Sequence, residues 1–217
     1  MHTLYTSKIH TQILIRFIVT DTFLPRVLGK IILASASPRR AQILKQVGFD
    51  FDVMPSAIEE VSEHHEPVEY AREIAQKKAL DIAQKYPERI VIAADTIVCL
   101  DGHILGKPSD EEDAWRMLRF LSGRNHQVYT AFAISHRSRN VNLVEHELTQ
   151  VHFRRLRDEE IAMYIATGAP FDKAGAYGIQ DASAIFVDRI DGDFYNVVGL
   201  PVTRLYQVLT DTYLEKR

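Results

Sequence analysis

From Ile90 to Leu100 the chain reads Ile-Val-Ile-Ala-Ala-Asp-Thr-Ile-Val-Cys-Leu, and Asp95 is the one charged residue in that stretch. A run rich in β-branched residues, without polar alternation, is the pattern of a strand covered on both faces. An ionised carboxylate in such a strand is costly unless a cation, a metal ion or several donors satisfy it. An isolated Asp often ends a strand and caps a turn, but here the apolar run resumes at once with Ile97-Val98. That resumption favours a functional acid, and a functional acid directs attention to the cations that could face it.

Candidate cations come from separate parts of the chain. Ile31–Ala34 reads as a short strand and Ser35-Ala36-Ser37 as a small-residue turn. Pro38 suits the first position of a helix capped by Ser37. Arg39 and Arg40 then fall in the first helical turn, where the helix dipole disfavours cations. Either both extend into solvent, or an anion such as phosphate is held there by free N–H groups, Ser35 and the guanidinium groups. Lys78 lies in the middle of the apolar face that Ala71, Ile74, Ala75, Ala79 and Ile82 form on a helix over Pro67–Tyr86. It either snorkels out along that face or reaches from a buried helix into a polar cleft. Lys107 follows the hairpin signal Asp101-Gly102. Counting back through that turn pairs Leu100 with His103 and Thr96 with Lys107, beside Asp95, unless a bulge shifts the register. Together these residues outline a cleft for a polyphosphate and a divalent cation around Asp95.

The remaining elements must position this set. Phe49–Val53 alternates as a half-exposed strand, and Glu59-Glu60 in the loop after it reads on its own as solvated surface. Ser109 with Glu112 forms a capping-box pattern for a helix whose inner face is Ala114, Met117, Leu118 and Leu121. Gln127–Ile134, Val141–Phe153 and Ala184–Ile190 read as strands. Glu159–Thr167 and the segment opened by Pro201 read as helices. Gly168–Gln180, with three glycines, Lys173 and Gln180, has the composition of a loop whose backbone approaches a ligand.

At 217 residues the chain is long enough for one large domain or two lobes around a cleft. A net charge of −3 gives no footprint for nucleic acid or a membrane surface. The single cysteine, Cys99, rules out an internal disulfide and fits a core position in a cytoplasmic protein. The histidines show no HxxxH or HExxH spacing, so none is assigned to a metal. Residues 1–29 stand apart as an N-terminal extension of unknown role: Ile13–Val19 is too short and too charged for a membrane span, and no clear secretory signal is present. The regular fold is expected over residues 30–217.

Several blocks, in order, resemble the Maf family of nucleoside triphosphate pyrophosphatases. They are Leu33-Ala-Ser-Ala-Ser-Pro-Arg-Arg40, Ala94-Asp-Thr96, Ile104-Leu-Gly-Lys-Pro108, Leu121-Ser-Gly123 with His126, Asp172-Lys-Ala-Gly-Ala-Tyr-Gly-Ile-Gln180 and Val197-Val-Gly-Leu-Pro201. The resemblance implies a two-lobed α/β fold, similar to that of the inosine triphosphate pyrophosphatases, with a long twisted mixed sheet flanked by helices and a central cleft. It implies hydrolysis of a nucleoside triphosphate to the monophosphate and pyrophosphate with Mg²⁺ or Mn²⁺, and a homodimer. By motif, Asp95 matches the catalytic carboxylate and Glu60 a second acid, the two serving as metal ligands. Arg39, Arg40, Lys78 and Lys107 match substrate-binding cations, with Ser35 beside them. Arg39, Thr96 and Gln180 match positions linked to base choice, and the Asp-Thr and Tyr-Gly-Ile-Gln forms resemble the branch acting on dTTP and UTP. Asp181-Ala182 and Ala93 stand where many relatives carry Gly. The expected mechanism is metal-assisted attack of water on the α-phosphorus. The alternatives are the same enzyme with a different base preference, or a nucleotide-binding regulator of septum formation and cell division with weak hydrolysis. The carboxylate pair Glu60 and Asp95 favours an enzyme.

Overall fold

The structure is a computed structural model and describes residues 24–214; most of the N-terminal extension, residues 1–23, lies outside the described residues. A short helix α1 (Leu24–Leu28) leads into β1 (Ile31–Leu33), α2 (Pro38–Gln46), β2 (Phe51–Val53) and the long helix α3 (Pro67–Lys85). Then follow β3 (Val91–Leu100), β4 (His103–Leu105), α4 (Glu111–Leu121), β5 (Asn125–His136), β6 (Val141–Phe153), α5 (Asp158–Ile165), β7 (Val187–Asp191), α6 (Phe194–Val198) and α7 (Val202–Tyr213). Among the described residues no helix is long and apolar enough to cross a membrane.

The strands make one mixed sheet in the order β2-β1-β3-β5-β6-β7, with β4 also on β3. One edge of β3 is filled along its length by antiparallel β5, from Val91 opposite Ser135 to Cys99 opposite Gln127. Its other edge is shared. β1 runs parallel to it only as far as Leu33 opposite Ile92, and β4 pairs antiparallel from Val98 opposite Leu105. Between Ile92 and Val98 that edge of β3 has no strand beside it. Asp95 and Thr96 lie in this gap.

The period-two alternation of β3 divides the core. Val91, Ala93 and Ile97 pack with Ala71, Ala75, Ala79 and Ile82 of α3. Ile92 and Ala94 face the other way, among Ile43, Leu44, Leu205 and Leu209 of α2 and α7. Val98 and Leu100 continue that second face into the cluster of α4 and α5 with Leu118, Leu121 and Ile161. Asp95 therefore shares a face with α3, and Thr96 points to the opposite face.

Local expectations hold where a capping residue or periodicity was strong. Ser37 caps α2, and Asp101 and Gly102 both adopt positive φ in the β3–β4 turn, with Leu100 opposite His103. Several details differ. The N-cap of α4 is Asp110, whose carboxylate accepts from the Asp113 N–H at 2.8 Å, one residue beyond Ser109. Ala182–Phe186 forms tight 3₁₀ turns, so β7 starts at Val187 rather than Ala184. The regular fold also begins before Ile31, because Leu24 of α1 is fully buried in the same cluster as Leu205 and Leu209.

His126 is sealed in an aromatic nest of Phe153 and Tyr177, with Nε2 2.7 Å from the Tyr177 hydroxyl and Nδ1 without a partner. Burial, with a smaller push from His152, lowers its pKa from 6.5 to about 3. Unfolded chains bind a proton here that the folded protein refuses. This group's contribution to stability is therefore complete above pH 6.5 and declines as pH falls towards 3. Urea unfolding from pH 7 to pH 4 should show an acid limb that His126→Phe flattens, by up to about 1.4 kcal/mol per pH unit. Parallel limbs in the two proteins would remove His126 as a cause.

Candidate active site

A cleft of about 520 Å³ opens over the gap in β3, and Ser35, Arg39, Arg40, Glu60, Lys78, Asp95, Thr96, Lys107 and Gln180 all line it. The strand ending at Leu33 and the capped turn into α2 bring Ser35, Arg39 and Arg40 to its rim. The α3 face brings Lys78.

On the α3 side, the Lys78 Nζ lies 2.8 Å from Asp95 Oδ1 and 2.9 Å from Glu60 Oε1. Lys78 and Asp95 are both buried, at 8% and 7% exposure, so Lys78 does not snorkel; it turns inward to a partner. Glu60 arrives on a loop that α3 itself pins down. The Tyr70 hydroxyl donates to the Glu60 carbonyl at 2.9 Å and Lys77 Nζ to the Val61 carbonyl at 3.1 Å. Burial, then the nearby charges of Asp95 and Glu60, raise the Tyr70 pKa and keep that hydroxyl a donor.

On the opposite face, Arg40 is held by three hydrogen bonds. Nε donates to the Gly199 carbonyl at 2.8 Å, Nη1 to Ser35 Oγ at 3.0 Å and Nη2 to Thr96 Oγ1 at 3.0 Å. Burial lowers the Arg40 pKa, an effect that Asp95 opposes. Gly199 sits at φ 121°, and a Cβ there would lie 3.3 Å from Thr96 Oγ1, so this approach requires glycine.

The far wall is the segment Gly168–Gln180. Asp172 reaches across to Arg39 at 2.9 Å. Burial opposes ionisation of Asp172, but hydrogen bonds from Lys173 and Arg39 outweigh it and hold its pKa below the usual value. Gln180 is exposed at the mouth and is anchored by its neighbour. The Asp181 carboxylate accepts from Ser183 Oγ at 2.6 Å, Ser183 N–H at 2.9 Å and the Tyr164 hydroxyl at 3.1 Å. Lys107 also reaches the cleft, though not by the expected register. The β3–β4 ladder stops at Val98 and Leu105, and the chain leaves the sheet at Gly106, whose carbonyl accepts from the Gly175 N–H at 3.0 Å. On the β4 edge Thr96 has no strand partner, and its pairing with Thr130 lies on the β5 edge.

Asp172 stands in a quoted motif block without a role of its own there, and Thr130 and Asn196 are not among the residues that the sequence marks. Thr130 had a readable signal, a hydroxyl at an inward position of β5 between Val128 and Phe132. The Asp172–Arg39 contact spans 133 residues and has no local signature.

Among the described residues no group of three or more His, Cys, Asp or Glu gathers to hold a metal. A hard cation such as Mg²⁺ is commonly held by one or two carboxylates with substrate phosphates and water completing its shell. Glu60 Oε1 and Asp95 Oδ1 converge on one positive centre, the Lys78 Nζ. Lys78 engages one oxygen of each carboxylate, and the second oxygen of each is left for such a cation on the cleft wall.

Removing Lys78 alone leaves Asp95 buried without its cation. Lys78→Met should therefore cost about 3 kcal/mol in chemical denaturation. Adding Asp95→Asn to it should restore part of that loss. A double variant less stable than Lys78→Met would show that the pair does not act as a unit.

Residues 30–212 match the family model described as Maf-like protein. A relative named dTTP/UTP pyrophosphatase from Caldanaerobacter subterraneus is 50% identical over 181 residues, which are 83% of this chain and 87% of that protein. Proteins of the same name from Geobacter sulfurreducens and Aquifex aeolicus are 49% and 45% identical, over 83% and 85% of this chain and 95% and 96% of theirs. A solved structure titled a HAM1 protein from Coxiella burnetii superposes with a TM-score of 0.50 at 18% identity, covering 84% of this chain and 99% of that one. That last likeness bears on the fold.

Proposed function

On the premise that the chain belongs to the Maf-like protein family, we propose that it is a nucleoside triphosphate pyrophosphatase. It hydrolyses dTTP and UTP to the monophosphate and pyrophosphate. The observation that carries this reading is the convergence of Asp95, Glu60 and Lys78 at the β3 gap, with Arg39, Arg40 and Lys107 around the same cleft. Its relatives bearing the name dTTP/UTP pyrophosphatase supply the choice of substrate. A cytoplasmic homodimer acting on free nucleotides is the form this reading implies.

In the reaction, water oxygen forms a bond to the α-phosphorus while the bond from that phosphorus to the oxygen bridging the α- and β-phosphates breaks. Asp95 orients the water and takes its proton. Lys78, fixed between the two acids, keeps the Asp95 carboxylate in one orientation and adds positive charge beside the reacting phosphate. Arg39, Arg40 and Lys107 hold the phosphates and balance the charge that builds on departing pyrophosphate. A divalent cation on Glu60 and Asp95 would supply Lewis-acid stabilisation of the phosphoryl oxygens.

Pyrophosphate release should be measured from a panel of nucleoside triphosphates with Mg²⁺, with Mn²⁺ and with EDTA. UTP and dTTP should be the preferred substrates, EDTA should abolish turnover, and folded Asp95→Asn should lose at least about a hundredfold in kcat. Near-normal turnover in Asp95→Asn would contradict the role of this acid. No release from any nucleotide by the folded protein would contradict the activity.

A further inference from the structure

Behind the cleft runs a line of buried polar groups that the reaction itself does not use. Thr96 Oγ1 lies 3.0 Å from Thr130 Oγ1, and Thr130 Oγ1 lies 2.8 Å from the backbone carbonyl of Asn196. The Asn196 side-chain Nδ2 donates to the Val128 carbonyl and to Thr149 Oγ1, both at 2.9 Å. Thr149 Oγ1 donates in turn to the Asp193 carbonyl at 3.0 Å. Thr130, Thr149 and Asn196 are fully buried, and Thr130 and Asn196 do not line the cleft.

The direction of these bonds follows from counting protons. A backbone carbonyl can only accept, so the one hydroxyl proton of Thr130 goes to Asn196. Thr130 must then accept from Thr96, which uses the one proton of Thr96. The Arg40 Nη2 donates to Thr96 and occupies a lone pair of its oxygen. What Thr96 has left is a single lone pair, and Thr96 is a lining residue of the cleft. The amide orientation of Asn196 is fixed as well, because turning it over would set Oδ1 against the Val128 carbonyl. This orientation leaves Oδ1 buried without a partner, a penalty set against the two bonds that fix Nδ2.

We propose that Thr130 and Asn196 are positioning residues that lock the Thr96 hydroxyl as a hydrogen-bond acceptor and hold Arg40 against it, so that this wall of the cleft takes a donor on the nucleoside part of the nucleotide, whose phosphates offer none. This deepens the pyrophosphatase reading and rests on it for the identity of the ligand. Because Asp95 and Thr96 project to opposite faces of β3, disturbing the line should weaken binding and leave the chemical step alone.

The test is the Kd of α,β-imido-UTP with Mg²⁺, by calorimetry, alongside kcat and KM for UTP. The set is wild type, Thr130→Val, Thr130→Ser, Thr96→Val and the double variant Thr96→Val/Thr130→Val. Thr130→Val should raise Kd and KM about tenfold with kcat within about threefold of wild type, and Thr130→Ser should stay within about twofold. Thr96→Val should weaken binding similarly, and the double variant should bind no worse than Thr96→Val, since Thr130 acts through Thr96. Additive losses in the double variant would overturn the proposal. So would a Thr130→Ser no better than Thr130→Val, or a loss in kcat at unchanged Kd. If Thr130→Val does not fold, an unchanged Kd in Thr96→Val overturns it and a weakened one supports it. Wild type that binds the analogue but does not cleave UTP would sink the pyrophosphatase reading while the Kd series still decides this one. Wild type that does not bind the analogue would overturn both.

Discussion

The Lys78 Nζ lies 2.8 Å from Asp95 inside a helix–sheet interface otherwise built of small and apolar residues, and much of the local sequence follows from that contact. A lysine on a helix face can meet a carboxylate on a strand only if helix and sheet approach closely. Ala71, Ala75, Ala79 and Ala83 of α3 and Ala93, Ala131 and Ala133 of the sheet allow that approach. The pair then does two things at once. Each partner makes the other tolerable in a place where a lone charge would be expelled. Both are also held at the wall of a cleft, where the carboxylate can meet a water and the ammonium a phosphate. Glu60, brought to the same nitrogen by a loop that Tyr70 and Lys77 secure, turns a pair into a three-sided cage.

The second constraint is the division of one strand edge between two partners. β1 supports β3 up to Ile92 and β4 supports it from Val98, so the stretch between them can face a ligand without leaving the sheet. β5 on the other edge keeps that stretch straight and in register. Consecutive residues then serve opposite faces, Asp95 with α3 and Thr96 with Arg40. The arrangement has the logic of ligand binding at the ends of strands in open α/β sheets, where chains diverge on either side of a gap. It separates the acid that handles water from the hydroxyl and guanidinium that hold the rest of the substrate.

Much of this was legible in the sequence, for identifiable reasons. Asp95 stood out because a charge interrupted an apolar strand, and Lys78 because a charge interrupted an apolar helix face. Both anomalies resolved into one contact. Arg39 and Arg40 were marked by sitting at a helix start that opposes cations. Glu60 carried no such mark, since an acid pair in a loop is ordinary surface, and it entered only through family resemblance. The Thr96–Lys107 pairing failed because turn chemistry sets the register next to a hairpin but not where the strand stops, and Gly106 ends it early. The links among Arg40, Thr96, Thr130 and Asn196 join positions far apart in the chain, so only the packed fold reveals them.

The chemistry assigned to this cleft requires that water attack the α-phosphorus. Turnover of UTP in water enriched in oxygen-18, followed by mass analysis of both products, tests it directly. The label should enter the uridine monophosphate, and the released pyrophosphate should stay unlabelled. Label in the pyrophosphate would place the attack on the β-phosphorus and contradict the assignment of the site.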